Sequence, residues 1–216
     1  MRDKAEFIRA NTRLMPVPLV PEISLHLAEE SLPIWQKTEE ELGELNVPPP
    51  YWAFAWAGGQ ALARYLLDHP AAVAGARVLD LGSGSGLAAI AAMKAGAVSV
   101  TATDIDAFAL AAIALNAAAN GVAVETSQQD PFATPPGRFS AVLAGDMFYE
   151  RPLAERALAF LETAARGGAR VLAGDPGRSY FPEDRFRQLA TYSVPVTREL
   201  EDAEIKKTAV WELARP

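Results

Sequence analysis

The stretch Val78-Leu79-Asp80-Leu81-Gly82-Ser83-Gly84-Ser85-Gly86 constrains the fold of this chain more than any other. A short run of branched residues leads into alternating glycines, and an alanine- and leucine-rich run follows directly. That order reads as a strand, a tight turn and the start of a helix. Glycine lets backbone approach a ligand closely, and the first turn of a helix leaves amide donors without partners, so the junction suits a nucleotide-like cofactor.

The same alternation continues downstream. Residues 78–81, 98–103, 122–126, 139–144 and 169–173 read as parallel strands, and 86–94, 106–120 and 151–166 as helices, with Gly96, Gly121 and Gly167 placed as C-terminal caps. A further helix is expected from Pro182 to about residue 190, and the runs near 193–197 and 207–213 as a closing hairpin. The pattern predicts an α/β fold, a doubly wound, mostly parallel sheet of seven strands. Upstream, Leu62, Tyr65 and Leu66 at helical spacing follow Gly58-Gly59 and stop at His69-Pro70. Residues 1–50 read as a helix, a short strand and a loop carrying the acidic group at 39–41, closed by Pro48-Pro49-Pro50. The organisation expected is an N-terminal extension, 1–50, packed on a core of 51–216 within one structural domain.

Composition narrows the function. A net charge of -7 argues against nucleic acid as partner. The chain has no cysteine, and His26 and His69 are too few for a metal centre, so any cofactor is expected to be organic. The charged opening residues are unlike a signal or transit peptide and imply a cytoplasmic protein. No apolar run reaches the roughly 20 residues a spanning helix needs, so no membrane is involved.

Charge also selects the ligand. A dinucleotide fingerprint would place its last glycine where Leu87 stands. Asp80, just before the turn, would repel a pyrophosphate but favour the cationic amino end of S-adenosylmethionine. Asp104 closes the next strand, where a carboxylate can accept from ribose hydroxyls. Asp130 could accept from the adenine amino group while Phe132 packs on the ring. Asp146 and Asp175 close the fourth and fifth strands, so four strands end in aspartate on the edge where open α/β sheets bind ligands. Structural readings stand beside these. Asp104 could cap the following helix, Asp130-Pro131 could start a turn, Asp175-Pro176-Gly177 is itself a β-turn, and Tyr51, Trp52, Phe54 and Trp56 could be core.

With these residues in view, the chain resembles the seven-β-strand, class I methyltransferases, and within them the branch that methylates lysine of the electron transfer flavoprotein β subunit. The resemblance rests on Pro50-Tyr51-Trp52-Ala53, Trp56, Gly58-Gly59-Gln60-Ala61-Leu62, Leu79 to Gly84, Asp104-Ile105-Asp106, Gly145-Asp146-Met147-Phe148-Tyr149 and Gly174-Asp175-Pro176-Gly177-Arg178. The Asp-x-x-Tyr motif, Asp146 to Tyr149, is its most specific part. Ala57 stands where the family pattern has proline.

The resemblance implies a Rossmann-like fold and transfer of methyl from S-adenosylmethionine, leaving S-adenosylhomocysteine, to a flavoprotein lysine by a monomeric enzyme. It implies Asp146 and Tyr149 as catalytic residues. Cofactor contacts are expected at Trp56, Asp80, Gly82, Ser83, Gly84, Gly86, Asp104, Ile105, Asp130 and Asp146, and substrate contacts at Tyr149, Asp175 and Arg178. Asp146 is expected to position the incoming ammonium, with Tyr149 and Trp56 forming an aromatic wall that tolerates a cation. Alternatives are a ribosomal-protein methyltransferase, which the Asp-x-x-Tyr motif disfavours, and a partner-binding module that keeps the fold without catalysis.

Overall fold

Short apolar runs become strands here because each is covered on both faces. The computed structural model describes residues 3–29, 33–34, 36–38, 49–133, 135–137, 139–197 and 203–214; the loop expected over 39–41, and Pro48, lie outside them. Its first elements are α1 (Lys4–Asn11), β1 (Arg13–Val17), β2 (Val20–Leu27), α2 (Ala57–Asp68), β3 (Arg77–Leu81) and α3 (Leu87–Lys94). Then follow β4 (Ser99–Thr103), α4 (Ala107–Ala119), β5 (Glu125–Ser127), β6 (Ala141–Gly145), α5 (Arg151–Arg166), β7 (Arg170–Asp175), β8 (Phe186–Pro195) and β9 (Ile205–Leu213).

The main sheet has the order β5-β4-β3-β6-β7-β9-β8, parallel from β5 through β7 and antiparallel at β9 and β8. Alternate residues face opposite layers. Val78, Ala141, Leu143 and Leu172 join the core under α2, α3 and α4. Leu79, Leu81, Val142, Ala144, Val171 and Ala173 meet α5, with Phe160 and Leu161, on the other face. The predicted architecture is thus the observed one. The order of winding reverses between the parallel neighbours β3 and β6, since the chain runs outward from β3 to β5 and then returns to add β6 on the other side, which opens a crevice at their carboxyl ends.

Two expectations are corrected. The segment after Pro182 is a single 3₁₀ turn, Glu183–Arg185, followed by β8 rather than a helix. Its pairing with β9 runs from Phe186↔Leu213 to Pro195↔Ile205 and overrides the helical propensity around Gln188-Leu189-Ala190. The third parallel strand begins at Glu125, because the Val122 amide donates to the Ala117 carbonyl and winds that residue into the end of α4. Gly167 is the C-cap of α5, as expected, and Gly168 after it takes the left-handed turn at φ +92°.

The N-terminal segment forms a hairpin, β1 on β2, where one short strand was expected. Its β2 lies along α4 through two side-chain amides. Asn120 accepts from the Ser24 amide at 3.1 Å and donates to the Ser24 carbonyl at 2.6 Å. Asn116, fully buried, accepts from the His26 amide at 2.7 Å and donates to the Ser85 carbonyl at 2.8 Å, tying the hairpin to the glycine turn. His26 meets the Thr12 hydroxyl and His69 stacks on Tyr65, both structural roles. Among the described residues no helix is long and apolar enough to cross a membrane.

Candidate active site

The turn after β3 is bare backbone by necessity. Gly82, Gly84 and Gly86 have φ of 56°, 53° and 85°, and a Cβ on Gly82 would stand 2.5 Å from the Met147 sulfur. The turn is held to the neighbouring strand by Asp104, whose Oδ2 accepts from the Gly84 amide at 2.9 Å and whose Oδ1 accepts from the Asp106 amide at 3.0 Å. The Ile105 amide also acts on this carboxylate, and of its four lone pairs capacity remains for a ligand hydroxyl. Asp106 in turn caps α4, accepting from the Phe108 amide at 2.8 Å. Beside Asp104, the Ile105 side chain is 70% exposed, an apolar surface that a flat base could cover.

Asp80 sits beneath the turn, only 2% exposed. Its Oδ2 accepts from the Ser83 hydroxyl at 2.5 Å and from the Ala89 amide in the first turn of α3 at 3.1 Å. Burial pushes its pKa up to about 7, against the lowering effect of those two donors. Asp80 therefore acts on the crevice chiefly by bracing the turn, and the direct attraction for a cationic ligand expected of it is shielded. Gly86 departs further from expectation. It is the N-cap of α3, and a Cβ there would press on Ile113 of α4, so its smallness serves helix packing.

The opposite wall is built on Asp146, the one non-glycine residue with positive φ among the described residues, at 54°. Its Oδ2 accepts from the Gly59 amide at 3.0 Å, serving as the missing cap of α2, whose N-cap residue Trp56 makes no side-chain cap bond. Its Oδ1 meets Arg178 Nη2 at 2.8 Å. Helix α2 can approach this closely because it enters through glycine. A Cβ on Gly58 would overlap the Gly174 carbonyl and the Asp146 carboxylate, and one on Gly145 would crowd Gly59. Ala57 is the first residue of α2, a position that accepts proline equally well, which accounts for the family pattern there.

The aromatic segment before α2 divides between core and crevice. Trp52 and Phe54 are buried, Trp52 stacked on Phe108. Tyr51 and Tyr149 are each 39% exposed, with ring centroids 5.7 Å apart. Trp56 packs edge-on against Tyr51, donates its indole N–H to the Tyr51 carbonyl at 2.9 Å, and carries the Arg178 guanidinium 5.9 Å from its ring centre. The sequence favours core over wall for Tyr51, and its partial exposure beside Tyr149 places it on the wall instead. Burial, with Tyr51, Glu150 and Asp104 nearby, pushes the Tyr149 hydroxyl up to about 12, so it stays protonated at neutral pH.

Two predicted site residues have their side chains turned to other partners. Asp175 is 1% exposed and cannot touch a protein substrate. Its Oδ1 accepts from the Gly177 and Arg178 amides, both at 2.7 Å, so it shapes the loop that delivers Arg178. Burial pushes its pKa up to about 7, opposed by the Arg178 amide and reinforced by the Asp146 charge. Asp130 faces Arg156 of α5 at 2.5 Å and the Phe132 amide, and Phe132 packs on Phe160 and under Arg156 rather than toward the crevice.

The crevice thus offers bare glycine backbone, a carboxylate with spare acceptor capacity, an exposed isoleucine and a wall of tyrosine and tryptophan. Those features fit the ribose, base and sulfonium of S-adenosylmethionine. A family model, ribosomal protein L11 methyltransferase (PrmA), matches residues 61–144, the segment that carries the glycine turn and Asp104. The crystal structure of magnesium protoporphyrin IX methyltransferase from Synechocystis, with bound SAM, shares the fold at a TM-score of 0.52 and 19% identity, over 72% of this chain and 78% of that one. Fold and crevice define a class I S-adenosylmethionine-dependent methyltransferase. The electron transfer flavoprotein beta subunit lysine methyltransferase of Mus musculus is 41% identical over 200 residues, 90% of this chain and 77% of that protein. Its Danio rerio counterpart is 38% identical over 97% of this chain and 83% of that protein. The chain belongs to this lysine methyltransferase family.

Proposed function

We propose that this chain transfers methyl groups from S-adenosylmethionine to lysine side chains of the electron transfer flavoprotein β subunit. The observation that carries the reading is the Asp146–Tyr149 turn. It brings a carboxylate and an aromatic hydroxyl to the crevice wall beside the glycine turn and Asp104, in a chain similar along nearly its whole length to enzymes named for that substrate.

S-adenosylmethionine supplies the methyl group as an electrophile on sulfur. Asp104 would hold the ribose hydroxyls, Ile105 would cover one face of the adenine, and the backbone of Gly82 to Gly84 would admit the amino acid end. Methyl transfer to an amine is an in-line displacement, so aligning the two reactants supplies much of the acceleration. The lysine must attack as a neutral amine, and at pH 7 removing its proton costs about 4.6 kcal/mol from a reference pKa of about 10.4. Tyr149 is no base at that pH. It offers a neutral hydroxyl and, with Tyr51 and Trp56, ring surface for the lysine stem and its cation. Both Asp146 oxygens are engaged, one by Arg178 and one by the Gly59 amide, and its part is to orient the nitrogen through the lone pairs that remain.

The match to the ribosomal L11 methyltransferase family supports a second substrate reading, and it stops short of Asp146 and Tyr149. Incubation with labelled S-adenosylmethionine and either the flavoprotein β subunit or ribosomal protein L11 separates the two. Label on flavoprotein lysines is expected; label on L11 alone would overturn the assignment.

A further inference from the structure

The Asp146 carboxylate poses a chemical difficulty for a lysine methyltransferase. A bare carboxylate beside the target amine stabilises the ammonium and opposes the loss of the proton that must precede attack. Resting on the lysine reading above, we infer that Arg178 is a positioning residue whose guanidinium offsets the Asp146 charge, so that the target lysine is held beside a balanced pair and loses its proton more readily.

The geometry is specific to that task. Arg178 reaches Asp146 at 2.8 Å, the two side chains being 21% and 11% exposed, so solvent screens the pair little. The guanidinium also lies toward the Trp56 ring, on the aromatic side of the crevice. Loop anchoring does not need it, because Asp175 already fixes the turn through the Gly177 and Arg178 amides. Among the described residues, the titratable groups near the pair are Asp175 after β7, Tyr51 in the turn before α2 and Tyr149 after β6, with Glu150 and Asp104 close to Tyr149. The first turn of α2, Ala57-Gly58-Gly59, carries no charge. Among these described residues Arg178 is the cation. The ammonium passes its proton to solvent at the mouth of the crevice. The amine lone pair then forms the N–C bond as the C–S bond breaks, its electron pair remaining on sulfur, and neither Asp146 nor Arg178 changes charge.

The test is the pH dependence of kcat at saturating S-adenosylmethionine and flavoprotein β subunit, where the acidic limb reports the bound amine. In Arg178→Gln the limb is expected to move up by about one pH unit, and in Arg178→Lys to return toward the wild-type position. In Asp146→Asn, which removes the carboxylate from beside the amine and keeps the guanidinium, it is expected to move down. Asparagine keeps an acceptor for the Gly59 amide and tolerates positive φ, so this variant decides the matter if Arg178→Gln does not bind cofactor. An Arg178→Gln enzyme slowed equally at every pH with its limb unmoved, or an Asp146→Asn limb that stays or rises, would overturn the inference. A wild-type enzyme inactive on flavoprotein lysines at every pH would instead overturn the lysine reading, and the inference with it.

Discussion

Asp104 joins the glycine turn to the start of α4 while keeping acceptor capacity toward the crevice, so removing it should be felt first in cofactor binding. A lost charge-assisted hydrogen bond is worth about 1.5–3 kcal/mol. Asp104→Ala is therefore expected to weaken S-adenosylmethionine affinity by roughly tenfold or more, read by calorimetry; unchanged affinity would place the ribose elsewhere. Tyr149→Phe keeps the ring against Tyr51 and should leave the melting temperature nearly unmoved while turnover falls, a split that equal losses in both would refute. Asp104 and Asp146 were legible in the sequence because each follows a strand that a general rule brings to the ligand edge. Asp130 and Asp175 obey the same rule and serve otherwise. Arg156, the partner of Asp130, comes from a distant helix, and the burial of Asp175 depends on a loop that folds back, so neither could be read from local spacing.

Helix α2 is the element that carries one wall of the crevice, and its glycines set how near it comes. Gly58→Ala would force a methyl into the Gly174 carbonyl and the Asp146 carboxylate, and overpacking of this kind costs about 1–3 kcal/mol. Gly59→Ala meets only Leu87, at 3.9 Å, in the first turn of α2, where alanine costs less backbone entropy than glycine, a difference of up to about 0.5–1 kcal/mol. Denaturant unfolding of the two variants should separate them clearly; equal destabilisation would show that the close approach does not govern the wall. The sequence signalled this helix through its periodicity, and the strands β3, β4, β6 and β7 through apolar runs bounded by turn residues. It misled at β8, whose residues favour a helix locally and become a strand because β9 offers nine residues of edge to pair with. It also left the hairpin β1–β2 half read, since Pro16 obscures the first strand.

At the scale of the molecule, stability and ligand binding meet in the buried carboxylates. Burial raises the pKa of Asp80 to about 7 from its ordinary 3.8, so between those values the folded chain binds more protons than the unfolded one. Stability from this group consequently falls as pH rises from about 4 through 7, the reverse of a salt-bridged aspartate, and Asp175 adds in the same direction. Thermal melts from pH 5 to 8 should show a shallower decline in Asp80→Asn, which keeps an acceptor for Ser83 and Ala89, than in wild type; parallel curves would assign the dependence elsewhere. Saturating S-adenosylmethionine, at a hundred times its Kd, should add about 2.7 kcal/mol to the folded state. The most direct measurement is a crystal structure with S-adenosylhomocysteine bound. The ribose is predicted on Asp104 and the base over Ile105, with the sulfur directed toward Asp146 and Tyr149. A nucleoside bound away from the carboxyl ends of β3 and β4, or one whose sulfur is walled off from Tyr149, would contradict the account.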